Sequence, residues 1–293
     1  MTPPQDPESN YLGQFIPLHY HHNMLMDETR MTRFKSAIDQ VVFPGAKVVE
    51  LGGGTGVLSW FAAQKASRVW CVEFNPALVD EAHRLLALNP QGCSVDVVLD
   101  DAFHYLPPEP VDVVICEMVH AAMLREKLVA VINSFKQRYL ARFGGSLPIL
   151  MPEAVIMAVQ PLEQDYCFEG FQAPIIQFQQ TQVIQTGTRE LAPPVIYSTL
   201  DFRQPTDESI VWQGQFAIEQ AGTVNAFRFL TKNILMIDPA SHATIDWLNH
   251  YLVIPLSQPV VVRRGDMLEL SFSYQAGGSI PSLQSALQAR KIS

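Results

Sequence analysis

The sequence predicts an open α/β domain with a parallel sheet, followed by a domain of antiparallel β-strands. Two observations support this fold class. Between residues 46 and 150, short apolar runs alternate with segments of helical periodicity, which is typical of parallel strands joined by helices. After residue 150 the helical periodicity mostly disappears, and short β-rich runs between turn residues indicate an antiparallel sandwich or barrel.

Three regions are expected along the 293 residues: an N-terminal segment over 1–23, the α/β domain over 24–150 and the β-rich domain over 151–293. The second boundary falls in "FGGSLPILMP", where the pattern changes. Before the first strand, apolar residues at helical spacing predict one helix over residues 21–42, which the following "FPG" ends.

The alternating elements of the α/β domain follow in order. The predicted strands are "AKVVEL", "RVWCVEF", "SVDVVL" and "VDVVICE". The predicted helices are "VLSWFAAQKA", "NPALVDEAHRLLAL" and "AMLREKLVAVINSFKQRYL". Asn75 is a suitable N-cap for the second helix, since Pro76 then takes the first helical position. Further on, the predicted strands are "AVIMAVQPL", "QTQVIQTG", "SIVWQGQFAI", "AFRFLTKNILMI", "WLNHYLVIPL" and "VVVRRGDMLELSFSYQ".

Composition and charge limit the function classes. The net charge of −9 argues against a nucleic-acid partner and suits a basic acceptor. None of the four cysteines lies in a CxxC pair, which favours a reduced, cytoplasmic chain without a metal site. The N-terminus has no apolar signal core, and no apolar stretch approaches the roughly 20 residues of a membrane span, so we expect a soluble protein.

A glycine-rich turn follows the first strand of the α/β domain. The run "VVELGGGTGVL" places Gly52 and Gly54 between a strand and a helix, where glycine lets the backbone approach a ligand closely. Glu73 ends the next strand, nineteen residues after Gly54, where a carboxylate can accept hydrogen bonds from both ribose hydroxyls of a nucleoside. The turn therefore predicts a nucleoside-containing cofactor.

Two further acids distinguish between cofactor classes. A dinucleotide site would show G-x-G-x-x-G, but this turn is G-G-G-T-G and Glu50 precedes it. A carboxylate there would repel a pyrophosphate, whereas it can hold an ammonium group. Asp101, after the third strand, lies where it could accept from an adenine amino group. These features favour S-adenosylmethionine (SAM).

The segment "VVELGGGTGVLSWFAA" resembles motif I of class I SAM-dependent methyltransferases, and in particular of the protein arginine methyltransferases. Upstream, "YLGQFIPLHYHHNMLMDETR" is similar, without gaps, to the N-terminal motif and helix of that family. The resemblance implies a Rossmann-like methyltransferase domain followed by a β-barrel domain, with the active site between them. It also implies that Phe15 and Arg30 bind SAM, that Met24 lies near the methyl group and that Asp27 lies beside the substrate.

Glu117 and Glu126 match the spacing of the double-glutamate loop that follows the fourth strand in this family. A guanidinium is planar, positive and carries five donors, so two carboxylates can hold it while one nitrogen faces the methyl group. They also draw positive charge away from that nitrogen. The resemblance therefore implies that this pair orients an arginine acceptor, with Glu117 also at the cofactor.

The chain departs from the family pattern in four places. Met118, Val119 and His120 replace the family's Trp-Met-Gly, and Phe15 replaces a tyrosine. In the family's Thr-His-Trp loop, Trp247 is kept to shape the pocket, but Asp246 takes the histidine position. The family histidine pairs with the acid at Asp27, so two acids here would repel each other, share a proton or face a more positive substrate.

The fourth departure is the family's dimerisation arm, which has no recognisable counterpart between about residues 165 and 195. A homodimer is still a possible partner state. The acceptor is expected to be an arginine guanidinium, in a protein or as a small molecule. One alternative is another nitrogen acceptor, such as an asparagine side-chain amide or a small metabolite. Another is a methyltransferase-like scaffold that binds a partner without catalysis.

Overall fold

The computed structural model describes residues 18–90 and 92–292. Two helices precede the first strand, α1 (Leu18–Met26) and α2 (Glu28–Val41). The prediction of one continuous helix here was wrong, because the chain breaks at Asp27. The Asp27 side chain accepts a hydrogen bond from the Arg30 backbone N–H at 2.9 Å and thereby caps α2. In the described part of the chain, no helix is long and apolar enough to cross a bilayer.

Five parallel strands form the sheet of the first domain, in the order β3-β2-β1-β4-β5. They are β1 (Lys47–Leu51), β2 (Arg68–Glu73), β3 (Val95–Leu99), β4 (Val113–Cys116) and β5 (Ile149–Met151). The crossover helices are α3 (Val57–Ala63), α4 (Pro76–Ala87) and α5 (Leu128–Phe143). The predicted α/β fold class is confirmed. The chain order reverses beside β1, so the carboxyl ends of β1 and β4 border one crevice.

The helix boundaries test the local sequence signals. Asn75 accepts from the Ala77 N–H at 3.0 Å and Pro76 opens α4, as predicted. The last crossover helix, however, begins at Leu128 and not near residue 122. A short 3-10 helix (Ala121–Met123) and a loop precede it, because contacts from the second domain hold this stretch in another conformation.

The second domain is built from antiparallel strands. They are β6 (Ala154–Gln164), β7 (Cys167–Phe168), β8 (Phe171–Gln172), β9 (Gln177–Gln179), β10 (Thr188–Glu190), β11 (Val195–Asp201), β12 (Ser209–Ala217), β13 (Gly222–Ile237), β14 (Thr244–Leu248), β15 (Tyr251–Val262), β16 (Met267–Gln275) and β17 (Gln288–Ile292), with helix α6 (Ile280–Ala286) before β17. Seven strands form one sheet around β6, β13 and β15, and β12, β16 and β17 form another. The described strands make separate sheets and not one closed ring of hydrogen bonds.

Several strand predictions for this domain need correction, and the run "VVVRRGDMLELSFSYQ" is divided between β15 and β16. The run "QTQVIQTG" forms no strand, because β9 and β10 on either side of it take the available sheet edges. Strand β11 was not predicted from the sequence. It pairs with β6 in the structure. The run "WLNHYLVIPL" is interrupted by a turn between β14 and β15. The predicted domain boundary remains a prediction, although β5 ends at Met151 and β6 begins at Ala154.

Aromatic residues join the two larger sheets of the second domain, and one further aromatic pair joins that domain to helix α2. Phe229 of β13 packs on Phe272 of β16, with ring centroids 5.5 Å apart, so the inner faces of the two sheets meet. Trp247 of β14 packs on Phe34 of α2, with centroids 6.1 Å apart, and both rings are buried. The second domain therefore closes over the helix that precedes the parallel sheet.

Candidate functional site

The glycine turn lies at the carboxyl end of β1 and is held by the neighbouring strand. The backbone N–H groups of Gly52 and Gly53 both donate to the Val72 carbonyl, at 2.9 and 2.8 Å. The Gly54 N–H donates to the Glu73 carboxylate at 2.9 Å. Sequence reasoning placed Glu73 next to this turn, and the structure brings them together.

Close packing explains why the turn needs glycine. Gly52 and Gly54 have φ values of +78° and +53°, which side chains rarely adopt. A Cβ at Gly52 would lie 2.9 Å from the Met118 side chain, and one at Gly54 would lie 2.8 Å from the His21 ring. Sequence reasoning assigned no role to Met118 or His21, because their approach to the turn is a long-range contact.

Gly53 offers a test of this packing. A Cβ at Gly53 would lie 2.2 Å from the buried Cys71 sulfur, so Gly53→Ala should lower the free energy of unfolding by about 1–3 kcal/mol and weaken SAM binding. The same substitution in a Cys71→Ala background should cost less, because the sulfur is gone. Urea unfolding and calorimetry with SAM measure both effects. Equal costs in the two backgrounds would refute this account.

Glu73 and Asp101 share one edge of the sheet. The second oxygen of Glu73 accepts from the Asn75 N–H at 2.8 Å. The backbone of the next strand is tied to it, since the Asp100 N–H donates to the Glu73 carbonyl at 3.1 Å. Asp101 accepts from the Phe103 N–H at 2.9 Å and is half-exposed, so it can still accept from a ligand. Both carboxylates are thus held in place by backbone donors.

Glu50 is buried, 2% exposed, behind the glycine turn. It accepts hydrogen bonds from the Ser59 N–H at 2.8 Å and from the Ser59 hydroxyl. Burial raises its pKa to about 8, although the bonds from Ser59 oppose the shift. Glu50 therefore braces helix α3 from beneath the turn. Its predicted contact with an ammonium group remains a prediction.

Arg30 and Glu117 form a buried ion pair that joins α2 to the end of β4. The Arg30 Nε donates to Glu117 Oε1 at 3.2 Å, and its second nitrogen donates to Oε2, so the pair is bidentate. Burial alone would lower the pKa of Arg30, but Glu117 reverses the shift and raises it. The guanidinium carbon lies 5.8 Å from the Trp247 ring and 5.9 Å from the Phe34 ring.

Glu126 faces the same site without a counter-ion of its own. No side chain in the described part of the chain hydrogen-bonds to its carboxylate, which is half-buried. Burial and the charge of Glu117 raise its pKa to about 8, against the weaker opposing charges of Arg30 and Arg125. Burial also raises the pKa of Glu117. Glu117 is therefore paired with Arg30, whereas Glu126 is mostly protonated near pH 7 and becomes a second negative charge above about pH 8.

The other predicted residues take varied positions. Asp27 caps α2, and its charge acts on Arg30 and Glu117. Met24 is half-buried in the last turn of α1 and its carbonyl accepts from the Asp27 N–H at 3.3 Å. Trp247 covers the Arg30 guanidinium. Phe15 lies outside the described residues.

Asp246 has a counter-ion of its own, and its predicted approach to Asp27 remains a prediction. It forms an ion pair with Lys232 of β13 at 2.9 Å, while the Asp27 carboxylate accepts from the backbone N–H of Arg30 and caps α2. His242 and His250, which could have substituted for the family histidine, are both exposed. The sequence could not show Lys232 as the partner, because the contact depends on the pairing of β13 with β14.

Strand β9 and the segment between β9 and β10 both border the site. The ring of Phe178 meets that of His120 edge-on, with centroids 5.5 Å apart. Gln182 donates a hydrogen bond to the hydroxyl of Thr29 on α2. Burial lowers the pKa of His120 to about 4, so this ring is neutral at physiological pH. This stretch, where the family arm was expected, therefore borders the glutamate loop.

These residues fit SAM by their chemistry. The turn at Gly52 and Gly54 allows close approach, and Glu73 retains lone pairs for hydroxyl donors. Arg30 offers a guanidinium for a carboxylate, and a positive sulfonium near Glu126 would favour the ionised form of that carboxyl group.

Comparison with known proteins supports this fit. Residues 48–140 match the family described as "Methyltransferase domain". An uncharacterized protein of Methanocaldococcus jannaschii is 28% identical over 265 residues, which is 90% of this chain and 95% of that protein. Protein arginine N-methyltransferase 2 of Dictyostelium discoideum is 24% identical over 253 residues, which is 77% of this chain. The match spans only 46% of that longer relative.

A solved structure shares the fold. The Trypanosoma brucei PRMT1 enzyme-prozyme heterotetrameric complex with AdoHcy superposes with a TM-score of 0.71 at 15% identity, over 98% of this chain and 99% of that chain. The matches show that the chain contains a SAM-dependent methyltransferase domain and that its sequence resembles the protein arginine methyltransferases. The solved structure shows that the two chains share a fold.

Proposed function

We propose that this chain transfers the methyl group of SAM to a guanidinium nitrogen of arginine, in a protein or as a small molecule. The observation that carries the proposal is a pair of interacting carboxyl groups, of which only one has an ion-pair partner among the described residues. Glu117 is held in a bidentate ion pair by Arg30, whereas half-buried Glu126 has no such partner among the described residues and its pKa is raised to about 8. A second guanidinium, from the acceptor, would supply the positive partner that the Glu126 carboxylate lacks.

The glutamates would act by orientation and charge. SAM supplies the electrophilic methyl group. Glu126, and the outward edge of Glu117, would accept hydrogen bonds from an acceptor guanidinium and fix one nitrogen toward the sulfonium. Their charge would also draw positive charge away from that nitrogen and leave it more nucleophilic. Arg30 would hold Glu117 in place and reach the cofactor carboxylate.

A labelling experiment tests the proposal. The pure protein is incubated with methyl-labelled SAM and either an arginine-rich peptide or free arginine, and mass spectrometry locates the label. Label on a guanidinium nitrogen is the expected result. Intact SAM binding by calorimetry without label on either acceptor would refute the arginine assignment.

An amide acceptor is a second candidate, because the raised pKa of Glu126 favours it. At pH 7 an unoccupied Glu126 is mostly protonated, and a neutral carboxyl can donate a hydrogen bond to an amide carbonyl. An asparagine-containing peptide and a small amide in the same labelling assay test this candidate.

The pH dependence separates the two candidates. A guanidinium needs ionised Glu126, so kcat/KM should rise about tenfold per pH unit below pH 8 and level off above it. An amide that needs protonated Glu126 should show the opposite limb, with kcat/KM falling above pH 8. Initial rates between pH 6 and 9.5 measure the profile. The limb should vanish in Glu126→Gln, and a limb that persists would assign it to another group.

Self-association is a further part of the proposal. Large apolar side chains are exposed on α1 and on either side of β9; they are Leu25, Met26, Ile175, Val183 and Ile184. Exposed apolar side chains of this size favour contact with a second copy of this chain. Light scattering after gel filtration should give a dimer, and the pair Met26→Asp with Ile184→Asp should give a monomer. A monomeric wild type at micromolar concentration would contradict this proposal.

A further inference from the structure

The loop that carries Glu126 has an unusual backbone. Ala122, Met123 and Arg125 all have positive φ values, of +56°, +54° and +63°. None is glycine, and residues with side chains rarely adopt this conformation. Such a stretch persists only where its surroundings hold it, and strained residues cluster at functional sites. The question is which groups hold the loop.

Groups of the second domain supply the answer. The Thr231 hydroxyl of β13 accepts from the Ala122 N–H at 2.7 Å, and the Tyr274 hydroxyl of β16 donates to the Ala122 carbonyl at 2.9 Å. Both backbone groups of one strained residue are therefore held by side chains more than 100 positions away in sequence. Thr231 and Tyr274 are themselves buried.

Backbone groups continue the same attachment along the loop. The Gly277 N–H donates to the Met123 carbonyl at 2.7 Å, and the Arg125 N–H donates to the Gly278 carbonyl at 2.8 Å. The attachment thus runs from Ala122 to the residue just before Glu126. The direction in which the Glu126 carboxylate points is set by this stretch, since Leu128 begins the rigid helix α5 directly after it.

We propose that Thr231 and Tyr274 are positioning residues for methyl transfer, which act from the second domain by fixing the loop that presents Glu126. Neither reaches the acceptor; each acts through the backbone of Ala122. The inference rests on the proposed function, because it assigns the acceptor to Glu126. Tyr197 provides a matched comparison, since its hydroxyl lies 2.9 Å from that of Tyr274 but does not touch the loop.

Two substitutions and two control variants test the inference in the full chain. Thr231→Val keeps the shape but leaves the Ala122 N–H without its acceptor, and Tyr274→Phe removes the donor to the Ala122 carbonyl. Each should lower kcat/KM for the acceptor by about 10- to 100-fold, because small displacements of a positioning group are costly. SAM affinity should stay within about twofold. Tyr197→Phe should retain wild-type kcat/KM, and Thr231→Ser should restore most of the activity.

A double-mutant cycle separates positioning from general stability. If Thr231 acts through Glu126, Thr231→Val should cost little further activity in a Glu126→Gln background. Additive losses would overturn the inference, as would a Thr231→Val variant that unfolds at lower temperature but keeps full kcat/KM below that temperature.

Hydrogen exchange of the protein alone gives a readout that needs no acceptor. Thr231→Val and Tyr274→Phe should speed exchange at residues 121–126, whereas Tyr197→Phe should not. If the wild type methylates no arginine acceptor, the proposed function fails while this arm still decides whether the two side chains hold the loop. Unchanged exchange in both variants would overturn the inference.

Discussion

Replacing Glu126 by glutamine is expected to lower kcat/KM for a guanidinium acceptor by about 10²- to 10³-fold while leaving SAM affinity nearly unchanged. Glutamine keeps the shape of the side chain but cannot carry the charge that a buried guanidinium needs. Initial rates with the labelled-SAM assay at pH 8.5, where wild-type Glu126 is mostly ionised, measure the loss. Calorimetry with SAM measures the cofactor side.

At high pH, Glu126→Gln should be more stable relative to the wild type than it is at low pH, although it is less active. The pKa of Glu126 is higher in the folded chain than in the unfolded chain, so wild-type stability is lost as pH rises from about 4.5 to about 8. Glu126→Gln should lack the part of this loss that ionisation of Glu126 causes. Urea unfolding at pH 6 and pH 9 checks the sign.

Glu109→Gln is the matched control for the activity measurement. Its carboxylate pairs with Lys47 at the amino end of β1, on the opposite edge of the sheet, and is only partly buried. It lies far from the glutamate loop and should leave kcat/KM unchanged. Full activity of Glu126→Gln on a guanidinium acceptor would remove the glutamate clamp from the mechanism.

Arg30→Met is expected to have the largest structural effect, because it leaves Glu117 as an unpaired buried carboxylate. Breaking a buried ion pair by removing one partner costs about 3–5 kcal/mol of unfolding free energy. SAM binding should be lost as well, since Arg30 is the guanidinium proposed to reach the cofactor carboxylate. Urea unfolding and calorimetry measure the two losses.

Two further variants serve as controls for Arg30→Met. Arg33→Met removes an exposed guanidinium from the same helix and should change stability by less than about 0.5 kcal/mol. The pair Arg30→Met with Glu117→Met removes both charges and should recover much of the stability, because no buried charge is left unpaired. SAM binding and activity should not recover. A stable single Arg30→Met variant would show that the pair is more hydrated than its burial suggests.

Much of the first domain could be predicted because its signals are local. The strand-turn-helix at "VVELGGGTGVL" and the Asn75-Pro76 helix start depend on neighbouring residues, and the structure confirms both. The helix predicted from residue 122 was wrong for the converse reason. "AMLREK" has good helix formers, but hydrogen bonds from Thr231 and Tyr274 outweigh that local preference.

The site was predictable as a set of residues but not as a set of contacts. Sequence reasoning and resemblance named Arg30 and Glu117 separately, and the bidentate bond between them is a property of the folded chain. Lys232 as the partner of Asp246 could not be foreseen, since the register of β13 and β14 decides it. The roles predicted for the individual residues await the substitutions described above.

The attachment of the glutamate loop has a consequence for dissecting or recombining this enzyme. The segment 48–140 that matches the methyltransferase domain ends before the residues that shape its own active loop. A truncated chain that stops near residue 150 would keep the glycine turn but lose the partners of Ala122, Met123 and Arg125. Grafting this domain onto another β-rich partner would therefore transplant the cofactor half of the site without a working acceptor half.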